Sequence, residues 1–364
     1  MTLDRYLIRE ISKPLLLVCG LLIVIFASYS WLKYMTKVAE MPMPPITMIS
    51  IILLKVAIAL EVLLPVSLYL SVILGLGRMH SDSEMIALSA CGISPTRIMR
   101  VVLMFSIVLA LLVGSFSLYL RPWAYEQSYW LQENAESGFG VSQLEAGHFY
   151  ERKNGDLVFF ANELDEKREV MQNVFIQSVQ DDVVRIIFAK EALDKIDQTN
   201  GKRVPVLLNG YEYKINREGG VQSITQFQEA TVHPKEITME YKRKAASTSF
   251  LFQSDQLPDI AELQWRFSTP ISTILLSLMA IPLSRVVPRQ GKYSKVAMAM
   301  IIFAIYYNLH AMTKTWVGQG MIPPVPGIWW VNGLLAIIVL GTMAPTLMAR
   351  RGRNSKASTN PAAR

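Results

Sequence analysis

Six apolar stretches, three ahead of a long polar region and three behind it, restrict this chain to a membrane fold. They run over residues 14–32, 49–76, 96–120, 270–286, 296–312 and 327–348. Each is close to the about 20 residues that a helix needs to cross about 30 Å of hydrocarbon. Backbone groups find no water in that layer, so each stretch must close its hydrogen bonds within itself as a helix. With 51% hydrophobic and 18% charged residues among 364, the chain is too apolar for an ordinary soluble protein of this length. Arg5, Arg9 and Lys13 ahead of the first stretch, and Ser28-x-Ser30 near its end, have the outline of a signal peptide. Its 19 uncharged residues exceed a usual signal core, however, so the stretch reads as a retained span.

The formal net charge of +7 invites a nucleic-acid reading, but the charge is unevenly placed. Between Arg121 and Arg266 stand 17 Lys/Arg against 23 Asp/Glu, and 19 against 6 stand elsewhere, with no acid after Arg266. Basic residues confined to the ends of apolar spans report membrane orientation, so nucleic acid is set aside. The N-terminus, residues 77–100, residues 285–295 and the tail carry 3, 3, 4 and 5 Lys/Arg, whereas the opposite short loops carry only Lys33, Lys37 and Lys314. The expected topology has both termini cytoplasmic and the polar region outside. Cys19 and Cys91 both lie away from that region, so no disulfide framework is implied.

The outer region opens on Trp123, Tyr125, Tyr129 and Trp130 among Glu and Gln, which reads as the third helix extending past an aromatic belt. Strand chemistry follows. Asn154-Gly155 lies between two apolar runs as a hairpin signal, and Asn200-Gly201, Asn209-Gly210 and Gly219-Gly220 repeat the punctuation. Tyr211, Tyr213 and Ile215 alternate with Glu212 and Lys214, and residues 174–179, 183–189 and 223–232 are further strand candidates. Six to eight short strands over about 120 residues suit a sandwich, a jelly roll or an open barrel, and periodicity does not choose among them.

Residues 77–92 form the one short polar segment whose chemistry looks made for a partner. Ser81 and Glu84 stand three apart ahead of Met85, Ile86 and Leu88, the spacing of a capping box, and Gly92 offers a left-handed stop. This spacing predicts a helix over about 81–91, tied at both ends to spans, that lies at the membrane face and can plug into another subunit. Two compatible readings of Glu84 stand: a helix cap and a contact to that subunit.

Charges inside spans cost about 2.5–3.5 kcal/mol at mid-bilayer, so each needs a reason. Glu61 lies about 18 Å into the second span and must face protein or a wet cavity, either as structural packing or in transport. Pro65 removes the backbone bond that would use the Glu61 carbonyl. Lys55 is six residues from Glu61, about 120° round the helix, so the two are not an in-helix pair. Lys33 and Lys37 share a face at the outer end of the first span. They can hold an anionic headgroup or simply snorkel.

Enzyme constellations are missing. Gly291-Lys292 has Val286 where a phosphate-binding loop needs its first glycine, so ATP is not expected on this chain. His80, His148, His233 and His310 have no metal-ligand spacing, and no Gly-x-Ser-x-Gly elbow occurs.

Arg5-Tyr6-Leu7-x-Arg9-Glu10, Ser83-Glu84 with Ala90-Cys91-Gly92-x-Ser94, Glu262-Leu263-x-Trp265-Arg266, and Pro282-Leu283-Ser284 followed by Pro288-Arg289-Gln290-Gly291 together resemble the LptF/LptG permeases, the LptF branch more closely. These are transmembrane subunits of the lipopolysaccharide-export ABC transporter. The resemblance covers essentially the whole chain and is thinnest in the outer region. It implies six transmembrane helices in a three-plus-three layout around an inserted periplasmic β-jellyroll. The implied division is spans 1–3 over 1–120, the β domain over 121–265, spans 4–6 over 266–348 and a disordered cytoplasmic tail over 349–364.

It further implies that residues 81–91 are a coupling helix seated in a dimeric ATPase, with Glu84 as the coupling glutamate and Ser81, Asp82, Met85 and Leu88 beside it. Lys33, and less directly Lys37, would approach lipid A phosphates. The implied partners are the homologous permease LptG, the cytoplasmic ATPase LptB, which would hold ATP and Mg²⁺, the bitopic protein LptC, the periplasmic bridge protein LptA and lipopolysaccharide in the bacterial inner membrane. The expected mechanism is extraction of a lipid with an anionic head, driven by ATP hydrolysis in the partner. The alternative is a membrane-anchored extracytoplasmic sensor or assembly scaffold, against which stands the want of any cytoplasmic signalling domain; a transmembrane enzyme comes third.

Overall fold

The computed structural model describes residues 2–40, 44–137, 147–151, 157–164, 170–180, 183–196, 203–216, 220–231, 241–285 and 294–358. Its helices are α1 (Thr2–Glu40), α2 (Pro45–Ser81), α3 (Glu84–Ala90), α4 (Pro95–Ser115), α5 (Arg121–Ser137), α6 (Thr248–Gln253), α7 (Leu257–Leu283), α8 (Ser294–Gly318) and α9 (Trp329–Ser358), with one π-helical segment, Phe116–Leu120, between α4 and α5. The strands are β1 (Phe149–Glu151), β2 (Leu157–Leu164), β3 (Val170–Gln180), β4 (Val183–Ile196), β5 (Arg203–Asn216) and β6 (Val221–Thr231).

Among the described residues five helical segments are long and apolar enough to cross a membrane: Leu3–Thr36, Pro45–Ser81, Pro95–Gln132, Leu257–Leu283 and Val296–Gly318; the apolar part of α9, Trp329–Ala344, is shorter. The first three have 34, 37 and 38 residues, about 50 Å or more each, and so outrun a hydrocarbon layer of about 30 Å.

The chain falls into two compact units. One comprises residues 1–29, 53–127 and 241–364, the other 30–52 and 128–240. The core of the helical unit is a continuous cluster that includes Leu7 and Ile11 of α1, Tyr69, Val72 and Leu76 of α2, Val102 of α4, Ala280 of α7 and Val331 of α9. The boundary expected at 265/266 falls inside α7; the helix expected to extend past Trp123–Trp130 is α5, which the expected domain limits place with the β domain. Pro258 at the first turn of α7 starts that helix well before its apolar run begins, so hydropathy alone places its start too late. The tail also departs from expectation: α9 continues to Ser358, and Ala, Arg and Lys, good helix formers, favour continuing a helix already begun. Residues 359–364 lie outside the described residues.

The second unit holds one antiparallel sheet in the order β1-β2-β3-β4-β5-β6, every neighbour adjacent in sequence. The strand candidates at 174–179 and 183–189 lie in β3 and β4, and 223–232 falls on β6 apart from residue 232, which lies outside the described residues. Three expected turns, at Asn154-Gly155, Asn200-Gly201 and Gly219, are likewise outside. Asn209-Gly210 is not a turn. It lies within β5, with Asn209 at φ 51° and Asn173 of β3 also at φ 51°. Both asparagines take the left-handed region, which Asn tolerates better than most residues. The pairings on either side keep one register, Val174↔Ala189↔Gly210 and Gln172↔Glu191↔Leu208. Burial changes phase across this row, so Val174 and Ala189 on one side and Met171, Ala192 and Leu207 on the other join a single core. The asparagines crease the sheet, and both halves thereby bury the same face.

Gly210 sits beside the crease, where a Cβ would lie 2.3 Å from Phe188 O and 2.4 Å from the Phe227 ring. Gly210→Ala is therefore expected to force β4 and β5 apart at a cost of about 1–3 kcal/mol. Hydrogen exchange of β4–β6 in the full-length protein is the readout; unchanged protection would show that the strands accommodate the methyl group.

Candidate functional site

Two clusters of charged side chains stand out in the helical unit, one at the ends of its helices and one inside it. The first is built around Arg78, in the last turn of α2. Its Nε lies 2.7 Å from Glu10 Oε1, its Nη1 3.6 Å from Asp82 Oδ2 and its Nη2 3.4 Å from Glu84 Oε1. Arg78 Nη2 also donates to Tyr6 Oη at 3.2 Å, and Tyr6 Oη donates to Glu84 Oε2 at 2.7 Å. One guanidinium thus gathers three carboxylates from α1, α3 and the turn between α2 and α3.

The capping-box expectation does not hold. Ser81 is the last residue of α2, the N-cap of α3 is Ser83 at φ 59°, and no side chain caps the helix. The Ser83 carbonyl accepts from Ile86 N and Ala87 N, so the turn is closed by backbone, and the Glu84 carboxylate goes to Tyr6 and Arg78 instead. At the other end Gly92 has φ +80°, Ile93 N donates to Leu88 O and Gly92 N to Ser89 O. This is a Schellman stop, which needs a left-handed residue at that position. Met85 and Leu88 are partly buried against the helical core, while Ile86 is 70% exposed. Ser81, Asp82, Ala87, Ser89 and Ala90 are exposed as well. The short helix is pinned by two apolar residues and one carboxylate, and the rest of it faces outward.

The second cluster was not legible as a site in the sequence. Glu61, 3% exposed on α2, faces Arg121, the first residue of α5, with Arg121 Nε 3.0 Å from Glu61 Oε2. Ser117 of the π-helical segment donates to Glu61 Oε1 at 2.7 Å, and Thr269 of α7 does so at 3.3 Å. Arg121 Nη1 lies 2.9 Å from Glu262 Oε1, close but without hydrogen-bond alignment. Glu262 Oε1 also accepts from Arg266 Nε at 3.3 Å, and its Oε2 meets Lys314 Nζ of α8.

The remaining donors of Arg266 go to Thr248 Oγ1 at 3.0 Å and to the carbonyls of Lys244 and Ala246 at 3.3 and 3.0 Å. Two carboxylates and three cations thus share a site whose side chains are nearly all buried. Burying any one of them alone would be prohibitive; held together, the charges satisfy one another. Lys55 lies 5.3 Å over the Tyr125 ring, on the same ring that Arg121 approaches to 5.7 Å.

Glu61 needed a cation, but Arg121 and Glu262 fell in the region assigned outside the membrane, which hid the pairing. The spacing of Glu262 and Arg266, one helical turn apart on either side of Trp265, was the available signal. Lys33 is exposed on α1 and its carbonyl accepts from Thr36. Lys37 lies on the same helix, its side chain outside the described residues. Among the described residues no group of His, Cys, Asp or Glu is placed to hold a metal ion.

These features define a class: a multi-span membrane protein with an inserted antiparallel β unit and a short amphipathic helix slung between its second and third spans. A family profile described as lipopolysaccharide export system permease LptF/LptG matches residues 5–344. The chain belongs to that family, which bears out the resemblance read from its motifs. It is 23% identical over 367 residues to the lipopolysaccharide export system permease protein LptF of Escherichia coli strain K12, with 98% of each chain covered. The same figures hold for the LptF proteins of Escherichia coli O157:H7 and Shigella flexneri.

Proposed function

We propose that this chain is one permease half of an ATP-driven exporter that lifts lipopolysaccharide out of the bacterial inner membrane and passes it towards a periplasmic bridge. The observation that carries the reading is the family match across residues 5–344. An outward-facing short helix held between two spans agrees with it. In this reading α9 supplies a sixth span, both termini are cytoplasmic, and the β unit is a periplasmic jellyroll that receives the lipid. A homologous permease, a dimeric ATPase holding ATP and Mg²⁺, a bitopic periplasmic protein and a bridge protein complete the machine. Closure of the ATPase moves α3, and with it α2 and α4, so that the two permease halves alternate between two packed arrangements.

In the same reading Glu84 meets a basic group of the ATPase, with the exposed Ser81 and Asp82 beside it and Met85 and Leu88 seating the helix on the core behind the contact, and Lys33 and Lys37 meet the phosphates of the lipid head. A lysine ammonium donates charge-assisted hydrogen bonds to phosphate, whereas an anchoring lysine only needs to reach the interface. The test is photo-crosslinking of lipopolysaccharide to the purified complex at matched expression. Lys33→Glu and Lys33→Gln are expected to lower capture about tenfold, and Lys33→Arg to be tolerated. Full capture with both Glu and Gln would make Lys33 an interfacial anchor.

A further inference from the structure

Between the first turns of α1 and α4 lies a cavity of about 470 Å³, lined by Asp4 and Ile8 from α1 and by Thr96, Arg97, Arg100 and Met104, among others, from α4. No step of the proposed transport cycle uses it. Its charges divide unequally. Arg97 is engaged, with Nε and Nη2 each 3.3 Å from a different oxygen of Asp4. Arg100 is exposed and has no ion pair among the described residues. The lining therefore keeps one uncompensated cation, with the Thr96 hydroxyl nearby.

The cavity continues into apolar surface. Arg100, Met104, Val108 and Leu111 stand at i, i+4, i+8 and i+11, one face of α4. Met104, Val108 and Leu111 are 60%, 67% and 71% exposed. From Arg100 to Leu111 this strip runs about 16 Å along the helix. A cationic pocket that opens onto an exposed apolar strip parallel to a spanning helix matches a molecule with a phosphate head and a hydrocarbon chain. A free anion would account for Arg100 but leave the strip without purpose. A zwitterionic lipid would bring an ammonium group, for which the one carboxylate in the lining is already held by Arg97.

We propose that this cavity binds an anionic glycerophospholipid, with Arg100 on the headgroup phosphate and an acyl chain along Met104, Val108 and Leu111. The proposal rests on reading α4 as a span. The orientation proposed above decides only that the cytoplasmic leaflet supplies the lipid.

The test uses the full-length chain with its co-purifying partners in nanodiscs of phosphatidylethanolamine that contain a phosphatidylglycerol carrying a diazirine in one acyl chain. Adducts are expected at Met104, Val108 and Leu111. Arg100→Glu should lower them about tenfold and Arg100→Lys should keep them. Adducts at Ile301 and Ile305 of α8, 61% and 64% exposed, should stay constant and report an intact fold. The same diazirine on phosphatidylethanolamine should label the strip weakly, and excess inorganic phosphate should not compete.

Equal labelling by the two lipids, or labelling unmoved by Arg100→Glu, overturns the proposal. Displacement by inorganic phosphate identifies a soluble-anion site instead. Loss of a co-purifying ATPase with unchanged labelling identifies a protein contact. Both leaflets carry the probe, so the result does not depend on which face is cytoplasmic; cysteine labelling at position 353 in intact cells reports the orientation separately.

Discussion

Glu84→Gln is expected to abolish most lipopolysaccharide export, by about tenfold or more, although it removes no cap and leaves the side chain its length. Because α3 starts on backbone bonds from the Ser83 carbonyl, the loss of charge should not melt the helix. A glutamine amide still accepts a hydrogen bond from the Tyr6 hydroxyl but gives up the ion pair with Arg78, and it cannot form an ion pair with a basic group of the proposed ATPase partner. Tyr6→Phe separates the two contributions. It removes the 2.7 Å bond to Glu84 Oε2 while keeping both charges, and should lower export only a few-fold. Release of lipopolysaccharide from proteoliposomes on ATP addition, measured beside ATPase rate, reads both variants. Full export with Glu84→Gln would reduce Glu84 to an internal partner of Arg78.

The largest stability effect is expected at Glu262. Glu262→Ala would leave Arg121, Arg266 and Lys314 with Glu61 as the remaining acid among the described residues of the cluster, and should destabilise the purified chain by about 3–5 kcal/mol. Arg121→Ala should cost about as much, because it leaves Glu61 buried without a cation, while Glu262 keeps Arg266 and Lys314. The pair Glu61→Gln with Arg121→Gln should cost clearly less than the two single changes added together, since each single change leaves the other charge buried. Unfolding in a detergent titration measures all of these. Additive costs would mean that water reaches the cluster and that its charges act independently.

The network also reaches the segment ahead of α6. Arg266 spends three donors on residues 244–248, and Thr248 in turn donates to Leu118 O of the π-helical segment. Residues 244–248 are therefore tied to α7 and to the segment that carries Ser117. A π-helical segment at such a place changes the helix register locally, a feature common at functional sites.

What the sequence by itself determined is what contiguous residues encode. Apolar runs marked six segments, and among the described residues five of them fall on helices long and apolar enough to cross a membrane, because hydration cost accrues along consecutive residues. The left-handed Gly92 was legible because only a residue without a Cβ takes that conformation cheaply. The alternation of Tyr211, Tyr213 and Ile215 placed the second half of β5, because alternate side chains share a face whatever the strand pairs with, and the candidate runs at 174–179, 183–189 and 223–231 fell within β3, β4 and β6. The family was legible from motifs spread along the chain.

Only the tertiary structure decided where the charges go. Glu84 finds Tyr6, 78 residues away, rather than the cap that its spacing with Ser81 advertised, because Arg78 at the end of α2 draws three carboxylates to itself. Glu61 finds Arg121, and Glu262 finds Arg121, Arg266 and Lys314, across four elements. The Asn209-Gly210 pair is a crease and not a turn, because strands on both sides hold it in register. In each case a local rule allowed two outcomes. Partners brought together from distant parts of the chain chose between them, since a buried charge or backbone group is stable only where the fold supplies its complement.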